Sequence, residues 1–280
     1  MKTINLKFSK SPDYFVQTEL DRLRANIGFS GTEKKVIMFT SCEPNEGKSY
    51  VSVNIWRDLA RAGKRVCLVD ADMRKSDLRR SLSLSVNEGE FLGLSHFLSG
   101  QAELKDVVYA TPEKNAYLIP TITMINPSIL LDNERFANMI AALRRDFDYV
   151  IVDTPPMGIV SDGQVIAAKC DGCILVIRAH STRRAAVKNS LSLLEKTGCV
   201  LLGVVLNRVD NEIANRYYKK NYYSKNYYRG YYKSYYRSYY AKRSEEDANG
   251  DGSEKKGKKP VKSAKPSFGK KSSPRSRSGK

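Results

Sequence analysis

The chain has 280 residues and a formal net charge of +18, which is unevenly distributed. Residues 216–280 contain 20 of the 48 Lys and Arg residues but 5 of the 30 Asp and Glu residues. Five scattered cysteines, a start without an apolar leader and the lack of an apolar run of ~20 residues argue against a disulfide-rich secreted protein and against a membrane-spanning one. We therefore expect a reduced, cytoplasmic globular body with a basic tail.

The predicted elements, in chain order, alternate between apolar strands and amphipathic helices. A helix at about 13–27 comes first. Strands are predicted at 35–41, 65–72, 148–156, 171–179 and 201–209, and further helices at 49–63, 134–147 and 182–198. Strands this apolar, separated by helices, favour a parallel sheet that is covered on both faces. The predicted fold class is α/β, with a mostly parallel sheet sandwiched by helices.

The stretch TSCEPNEGKSY, residues 40–50, lies between the first predicted strand of this sheet and its helix. Its Gly47, Lys48 and Ser49 match the second half of the phosphate-loop pattern G-x-x-x-x-G-K-[ST]. Backbone N–H groups at the helix N-terminus suit a phosphate, the lysine reaches the β- and γ-phosphates, and the serine hydroxyl binds Mg²⁺. ATP and Mg²⁺ are the expected cofactors. The expected nucleotide contacts are Glu43, Pro44, Asn45, Glu46, Gly47, Lys48, Ser49 and Tyr50.

Three aspartates follow two of the predicted strands. Asp70 and Asp72 end the run CLVDAD, and Asp153 ends VIVD. Because the carboxyl ends of parallel strands meet at one edge of a sheet, we expect these side chains to converge beside the phosphate loop. Carboxylates there can hold Mg²⁺ directly or through its waters.

A tyrosine cluster at 216–240 holds 12 of the 17 tyrosines, in six adjacent pairs with Lys or Arg between them and no acidic residue. These tyrosines are Tyr217, Tyr218, Tyr222, Tyr223, Tyr227, Tyr228, Tyr231, Tyr232, Tyr235, Tyr236, Tyr239 and Tyr240. Paired phenols on a basic string suit stacking on RNA, but the composition of the cluster alone does not decide its use.

The tail at 241–280 consists mainly of Lys, Ser, Gly and Pro, with almost no large apolar residue. Such a segment buries too little surface to offset its conformational entropy, which predicts a disordered C-terminal tail. Its positive charge suits a polyanion or an anionic membrane surface, and it equally suits a tail that only adds solubility.

The stretches EPNEGKS, CLVDADMRKSDL and YVIVDTPP together resemble the bacterial tyrosine kinases (BY-kinases) of capsule and exopolysaccharide biosynthesis, in their cytoplasmic CpsD/CapB-like form. The likeness continues through GLSHFLSG, NPSILL and GVVLNRVD, ends in the tyrosine cluster, and covers about residues 13–240. Asp70, Asp72 and Arg74 match the family element hhhD-x-D-x-R. The resemblance implies a phosphate-loop NTPase of the MinD/ParA-like type that acts as an ATP-dependent protein-tyrosine kinase, phosphorylates its own tyrosine cluster and regulates polysaccharide biosynthesis.

The resemblance also implies roles for single residues. The catalytic set would be Lys48, Asp70 and Asp72. The Mg²⁺ set would be Ser49, Asp70 and Asp153. Asp72 would be the carboxylate near the incoming phenol, and Asn207 matches the position that contacts adenine in related ATPases. Arg74 matches a family arginine.

The same resemblance divides the chain and names its partners. The implied parts are an N-terminal helical segment at 1–30, a phosphate-loop kinase domain at 31–215, the autophosphorylated cluster at 216–240 and the basic disordered tail at 241–280. The implied partners are a separate transmembrane activator (a polysaccharide co-polymerase), further copies of the chain for phosphorylation in trans, and a cognate tyrosine phosphatase. The activator would recruit the protein to the inner face of the cell membrane.

Some positions depart from the family pattern. Asn45 stands where the family usually has Gly, so a positive φ is expected there, and Asn is the residue other than Gly that best tolerates it. Tyr50 replaces a usual Thr directly after the Mg²⁺-binding Ser49. In the E-x-x-R-x-x-R interface motif, Glu19 is one place out of register and Asp21 stands in place of an Arg, which puts the ring-like self-association of the family in question.

Two other classes of function fit parts of this sequence. A MinD/ParA-like switch ATPase would use the phosphate loop to control dimerisation without a protein substrate, but its usual lysine early in the loop has no counterpart in CEPNE, residues 42–46. A binding-only relative would contact a polyanion through its basic tail. Six tyrosine pairs beside a phosphate loop and three aspartates favour the kinase over both.

Overall fold

A nine-stranded sheet runs through the computed structural model, which describes residues 2–8, 12–87, 89–124 and 126–209. The tyrosine cluster and the tail predicted at 216–280 lie outside the described residues. The strands are β1 (Lys2–Asn5), β2 (Val36–Ser41), β3 (Val66–Asp70), β4 (Ser85–Val86), β5 (Tyr109–Ala110), β6 (Ala116–Ile119), β7 (Tyr149–Asp153), β8 (Gly172–Arg178) and β9 (Val200–Asn207). The helices are α1 (Tyr14–Phe29), α2 (Lys48–Arg61), α3 (Leu78–Ser81), α4 (Leu94–Leu98), α5 (Leu104–Val107), α6 (Ser128–Leu131), α7 (Glu134–Asp146), α8 (Asp162–Ala167) and α9 (Arg184–Glu195).

The strand order is β4-β1-β5-β6-β3-β7-β2-β8-β9. Every neighbouring pair from β6 to β9 in this order is parallel. The antiparallel pairs are β1 with β4 and β5 with β6. The prediction of a mostly parallel sheet is therefore confirmed.

Each face of the sheet buries its own hydrophobic core. Along β2, Val36 and Met38 pack into one core, and Ile37 and Phe39 pack into the other, as the alternation of side chains along a strand requires. The first core is completed by side chains of α4 to α9, and the second by side chains of α1, α2 and α3. Strands buried on both faces must be apolar throughout, which is why these strands could be recognised in the sequence.

The far edge of the sheet was not predicted. β1 lies in the N-terminal segment at 1–30, for which a helix was the predicted element, and it pairs in parallel with β5 and antiparallel with β4. Its Ile4 is buried. Strands of two to four residues are too short to show a period in the sequence, so pairing with distant segments decides their structure.

No helix within the described ranges is long and apolar enough to cross a lipid bilayer.

Candidate active site

The centre of the sheet brings the predicted site residues to one edge. The phosphate loop follows β2 and leads into α2, while Asp70 and Asp153 are the last residues of β3 and β7. β7 lies between β3 and β2, and Asp70 is the register partner of Asp153. The sheet therefore places two carboxylates side by side next to the start of α2, at the edge where ligands of parallel sheets bind.

The phosphate loop is held in shape by its own glutamate. The carboxylate of Glu46 is buried and accepts hydrogen bonds from the backbone N–H of Cys42, at 2.7 Å, and of Glu43, at 2.9 Å. The Thr182 hydroxyl, from the loop between β8 and α9, donates to the same carboxylate. Asn207 Nδ2 donates to the Glu46 carbonyl oxygen at 2.8 Å. Glu46, which was expected to contact the nucleotide, thus uses its side chain to bond the backbone of its own loop. Asn207 lies against that loop.

Two residues of the loop have left-handed backbone conformations. Gly47, at the N-cap of α2, has φ +95°, and Asn45 has φ +64°. The expected positive φ at Asn45 is therefore confirmed. Glu43 and Pro44 lie between the end of β2 and Asn45, and Pro44 is exposed. Tyr50 is 44% exposed. The buried part of its ring and, to a smaller extent, the carboxylate of Asp13 raise the pKa of its phenol.

Lys48 is the cation of this site. Its Nζ lies 2.9 Å from Asp72 Oδ2 and 3.8 Å from Asp153 Oδ2, and it donates to Ser49 Oγ at 3.3 Å. Burial opposes the charge on this amine, but Asp153 and Asp72 outweigh it and raise the pKa of Lys48. The side chain is therefore a fixed positive charge between two carboxylates.

Asp153 connects the end of β7 to the first turns of α2. Ser49 Oγ donates to Asp153 Oδ2 at 2.6 Å, and Ser52 Oγ donates to Asp153 Oδ1 at 3.2 Å. Burial raises the pKa of Asp153, and the charge of Lys48 and the hydrogen bond from Ser49 oppose the rise.

Asp70 is the least compensated of the three aspartates. Its Oδ2 accepts a hydrogen bond from the Ser76 hydroxyl, whereas its buried Oδ1 has no hydrogen-bond partner among the described residues. Burial, followed by the neighbouring charge of Asp153, raises the pKa of Asp70 to about 8. A buried carboxylate oxygen without a partner is costly and calls for an explanation, such as a cation that it would hold.

The donor set of this edge fits Mg²⁺. Asp70, Asp72 and Asp153 supply three carboxylates against the single charge of Lys48, and Ser49 supplies a hydroxyl oxygen. Mg²⁺ prefers such oxygen ligands and is usually held by one or two carboxylates together with phosphate oxygens and water. Within the described residues no three His, Cys, Asp or Glu side chains form a metal cage by themselves. The ion would therefore depend on Ser49 and on the phosphates of a nucleotide.

An arginine clamp fixes the loop that carries Asp72. Arg74 Nε donates to Asp162 Oδ2 at 2.6 Å, and Arg74 Nη2 donates to Asp162 Oδ1 and to Ser128 Oγ, both at 3.0 Å. Ser128 Oγ in turn donates to Asp162 Oδ1 at 2.6 Å. Burial works against the charge on Asp162, but the bonds from Arg74 and Ser128 prevail and lower its pKa. Segments that are distant in the chain, those of Ser128 and Asp162, are thereby joined to Arg74, which lies two residues after Asp72.

Sequence reasoning missed the residues that support the predicted ones. These are Ser52, Ser76, Ser128, Asp162 and Thr182. Ser76 and Ser128 lie inside stretches that carry the family resemblance, which was the available signal for them. Thr182 lies in no motif, and only the packing of the β8–α9 loop against the phosphate loop identifies it.

We expect Gly47→Ala to weaken ATP binding. A Cβ at Gly47 would overlap with Asn207 Nδ2, in addition to the strain of a side chain at φ +95°. Gly63→Ala is a matched control, because Gly63 also has a positive φ, +84°, but has no atom within 4 Å of the added Cβ. The control should lose roughly 1–2 kcal/mol of unfolding free energy and keep its ATP affinity. Denaturant unfolding and titration calorimetry with ATP would measure both, and equal ATP affinity of the two variants would contradict the close contact.

Comparison with known proteins adds to this geometry. Residues 34–195 match the family model of the AAA domain. The tyrosine-protein kinase CpsD of Streptococcus agalactiae is 38% identical over 202 residues, which are 72% of this chain and 85% of that protein. The crystal structure of the chimerical protein CapA2B2 is similar with a TM-score of 0.66 and 30% identity, over 72% of this chain and 88% of that one.

The septum site-determining protein MinD of Pyrococcus horikoshii, solved in complex with Mg-ADP, is similar with a TM-score of 0.55 and 24% identity, over 65% of this chain and 76% of that one. This likeness concerns the fold. Together with the AAA-domain match and the phosphate loop before α2, it defines a phosphate-loop nucleotide-binding protein. Within that class, the chain belongs to the bacterial tyrosine-protein kinase family represented by CpsD. The family and the fold class named from the sequence are therefore confirmed.

Proposed function

We propose that this protein transfers the γ-phosphoryl group of ATP to tyrosine hydroxyls, and that its main acceptors are the twelve tyrosines at 217–240 of a neighbouring copy. The observation that carries the proposal is the contact between Lys48 Nζ and Asp72 Oδ2, 2.9 Å apart beside the phosphate loop. It brings a phosphate-binding cation and a proton-accepting carboxylate to one point, as transfer to a hydroxyl requires. Family membership supports the same activity.

Each residue of the site has a defined task in this proposal. Phosphoryl transfer depends mainly on positioning and on neutralising charge. Lys48 and the N–H groups at the start of α2 bind the phosphates, and the buried Glu46 keeps the loop in the shape that exposes those groups. Asp72 accepts the proton of the attacking phenol, whose ordinary pKa of ~10 keeps it neutral at physiological pH. Asn207, against the phosphate loop, is the proposed adenine contact.

Mg²⁺ would be held by Ser49, Asp70 and Asp153 together with the nucleotide. When bound, it would neutralise phosphate charge during the transfer. The serine hydroxyl is already oriented by its bond to Asp153, and Asp70 offers the carboxylate oxygen that has no partner among the described residues.

The proposed cellular setting follows from the family. The kinase domain, at about residues 31–215, would act in the cytoplasm on the tyrosine clusters of other copies. A separate transmembrane activator would bring it to the membrane, a tyrosine phosphatase would reverse the modification, and the output would be control of capsular or exopolysaccharide synthesis. The basic tail at 241–280 would add contact with an anionic membrane or another polyanion.

The test is to incubate the full chain with Mg-ATP and to map phosphotyrosine by mass spectrometry. We expect label on several of the tyrosine pairs between 217 and 240, and none when EDTA removes Mg²⁺. A variant with all twelve tyrosines changed to Phe should hydrolyse ATP but lose the label in that segment. ATP hydrolysis by the unaltered chain without phosphotyrosine would favour the switch ATPase, and neither activity would favour a binding protein.

A further inference from the structure

The neighbouring strands β8 and β9 end together beside the phosphate loop. Arg178, the last residue of β8, is the register partner of Asn207, the last residue of β9. The backbone N–H of Ala179 continues this pairing by donating to the Asn207 carbonyl oxygen at 2.9 Å. Just beyond the strands, His180 and Arg208 have left-handed backbone conformations, with φ +57° and +55°. Residues other than Gly rarely adopt this conformation, so both strands end in sharply defined turns at the same edge of the sheet.

Two side chains from these strand ends bind Glu46 of the phosphate loop. The Thr182 hydroxyl donates to one carboxylate oxygen of Glu46 and accepts the backbone N–H of Arg178 at 2.8 Å. Asn207 Nδ2 donates to the Glu46 carbonyl oxygen at 2.8 Å. The other carboxylate oxygen of Glu46 accepts two N–H groups of the loop itself. Glu46 thus joins the loop to the ends of both strands, and we name Thr182 and Asn207 the strand-end bracket.

The amide of Asn207 also lies directly against Gly47. A Cβ added at Gly47 would overlap with Asn207 Nδ2. Asn207 Oδ1 accepts the backbone N–H of Arg208 at 2.9 Å, which orients the amide with its nitrogen toward the loop. An amide has two N–H groups and an oxygen with two lone pairs, so these two bonds leave one N–H and one lone pair for an adenine. The contact with the loop therefore exists beside the proposed adenine contact and does not depend on a base.

We infer that Thr182 and Asn207 are positioning residues, which keep the phosphate loop in its phosphate-binding shape and so set the affinity for the triphosphate independently of the base. The inference rests on the proposed function in taking ATP as the ligand, and it adds a second task to Asn207. Neither side chain needs to touch a phosphate, because both act through Glu46. A loop without these bonds samples other shapes, and the apparent Kd of a ligand rises as the fraction of the binding-competent shape falls.

The test compares Mg-ATP with inorganic tripolyphosphate, which has a chain of three phosphates but no base. Both Kd values are measured by titration calorimetry on the full chain. Thr182→Val removes the hydroxyl at nearly constant size, and we expect it to raise both Kd values by the same factor, about three- to tenfold, as the loss of one hydrogen bond does. Thr182→Ser restores a hydroxyl and should recover most of the affinity. Ser181→Ala is the matched control, because it removes an exposed hydroxyl next to Thr182, and it should leave both Kd values unchanged.

Asn207→Ala separates the two tasks of this residue. Loss of an adenine contact alone would weaken ATP and spare tripolyphosphate. We expect the Kd of tripolyphosphate to rise about three- to tenfold and that of ATP by at least the same factor. Saturating ATP selects the competent shape of the loop, so kcat for autophosphorylation should change much less than the KM for ATP. Asn189→Ala, at an exposed position of α9, is the control and should change neither Kd.

An unchanged Kd of tripolyphosphate in Asn207→Ala or in Thr182→Val would overturn the role assigned to that residue and leave the kinase activity standing. An equal loss of affinity in Ser181→Ala and Thr182→Val would also overturn it. Thermal unfolding without ligand sets an assay temperature at which every variant is folded, so that a changed Kd reports on the loop. Absence of ATP binding and of phosphotyrosine in the unaltered chain would instead overturn the proposed function, and the inference with it.

Discussion

Changing Lys48 to Met is expected to reduce autophosphorylation on the order of 100- to 1000-fold, as the loss of one preorganised charge contact at a transition state does. Lys48 Nζ lies between Asp72 and Asp153, and its pKa is raised, so the methionine removes a permanent positive charge from a group of three carboxylates. ATP affinity should fall as well, because phosphate oxygens would then face uncompensated carboxylates. Quantitative phosphotyrosine mapping and ATP titration measure the two effects.

Lys64→Met is the matched control for this change, because Lys64 is exposed in the turn after α2. It should retain full activity. Lys48→Arg is informative too, since a planar guanidinium differs in shape and reach from the ammonium that fits between the two aspartates. Label at the unaltered level in the Lys48→Met protein would show that phosphotyrosine arises without this site.

Asp72→Asn is expected to lower kcat for tyrosine phosphorylation by about 10²- to 10⁴-fold, the usual contribution of a positioned general base. The substitution keeps the size of the side chain. Its single oxygen can accept from the backbone N–H of Lys75, which now bonds to Oδ1 at 3.1 Å, or from Lys48 Nζ, which now bonds to Oδ2 at 2.9 Å, but not from both. With the oxygen toward Lys75 the loop keeps its bond and Lys48 keeps Asp153 at 3.8 Å, so the KM for ATP should change far less than kcat. This split between kcat and KM separates a proton acceptor from a residue that merely holds the loop.

Asp77→Asn serves as the control for that experiment, because Asp77 is an exposed aspartate five residues further along and bonds to Arg80. Its kinetics should match those of the unaltered protein. Autophosphorylation that remains unchanged in Asp72→Asn would show that another group receives the proton, or that the phenol needs no base.

The central strands and the phosphate loop were predictable because each depends on local sequence. β2, β3 and β7 are buried on both faces, so their apolar runs stand out, and Gly47 to Ser49 form a motif whose chemistry fixes the order of residues. The convergence of Asp70 with Asp153 followed from the geometry of parallel strands. Even the left-handed conformation of Asn45 could be expected from the glycine that usually stands there.

The supporting contacts could not be predicted, because they join segments far apart in the chain. Thr182 meets Glu46 across 136 residues, and Arg74 meets Asp162 across 88. Neither Thr182 nor Asp162 has a local pattern that separates it from an ordinary turn or helix-start residue. The buried Asp70 Oδ1 is likewise visible only in three dimensions. Sequence thus predicted which groups lie together at this edge of the sheet, and the structure was needed to find what holds them in place.

The position of β2 in the sheet also determines how late the site can form during folding. β2 ends at Ser41, yet its two neighbours in the sheet are β7 and β8, which begin at Tyr149 and Gly172. The chain must therefore close loops of more than 100 residues before β2, which precedes the phosphate loop, can pair with its neighbouring strands. Such high contact order slows folding. During synthesis on the ribosome, the apolar strands β2 and β3 would remain without their partners until β7 and β8 have been made. Aggregation competes with folding during this period.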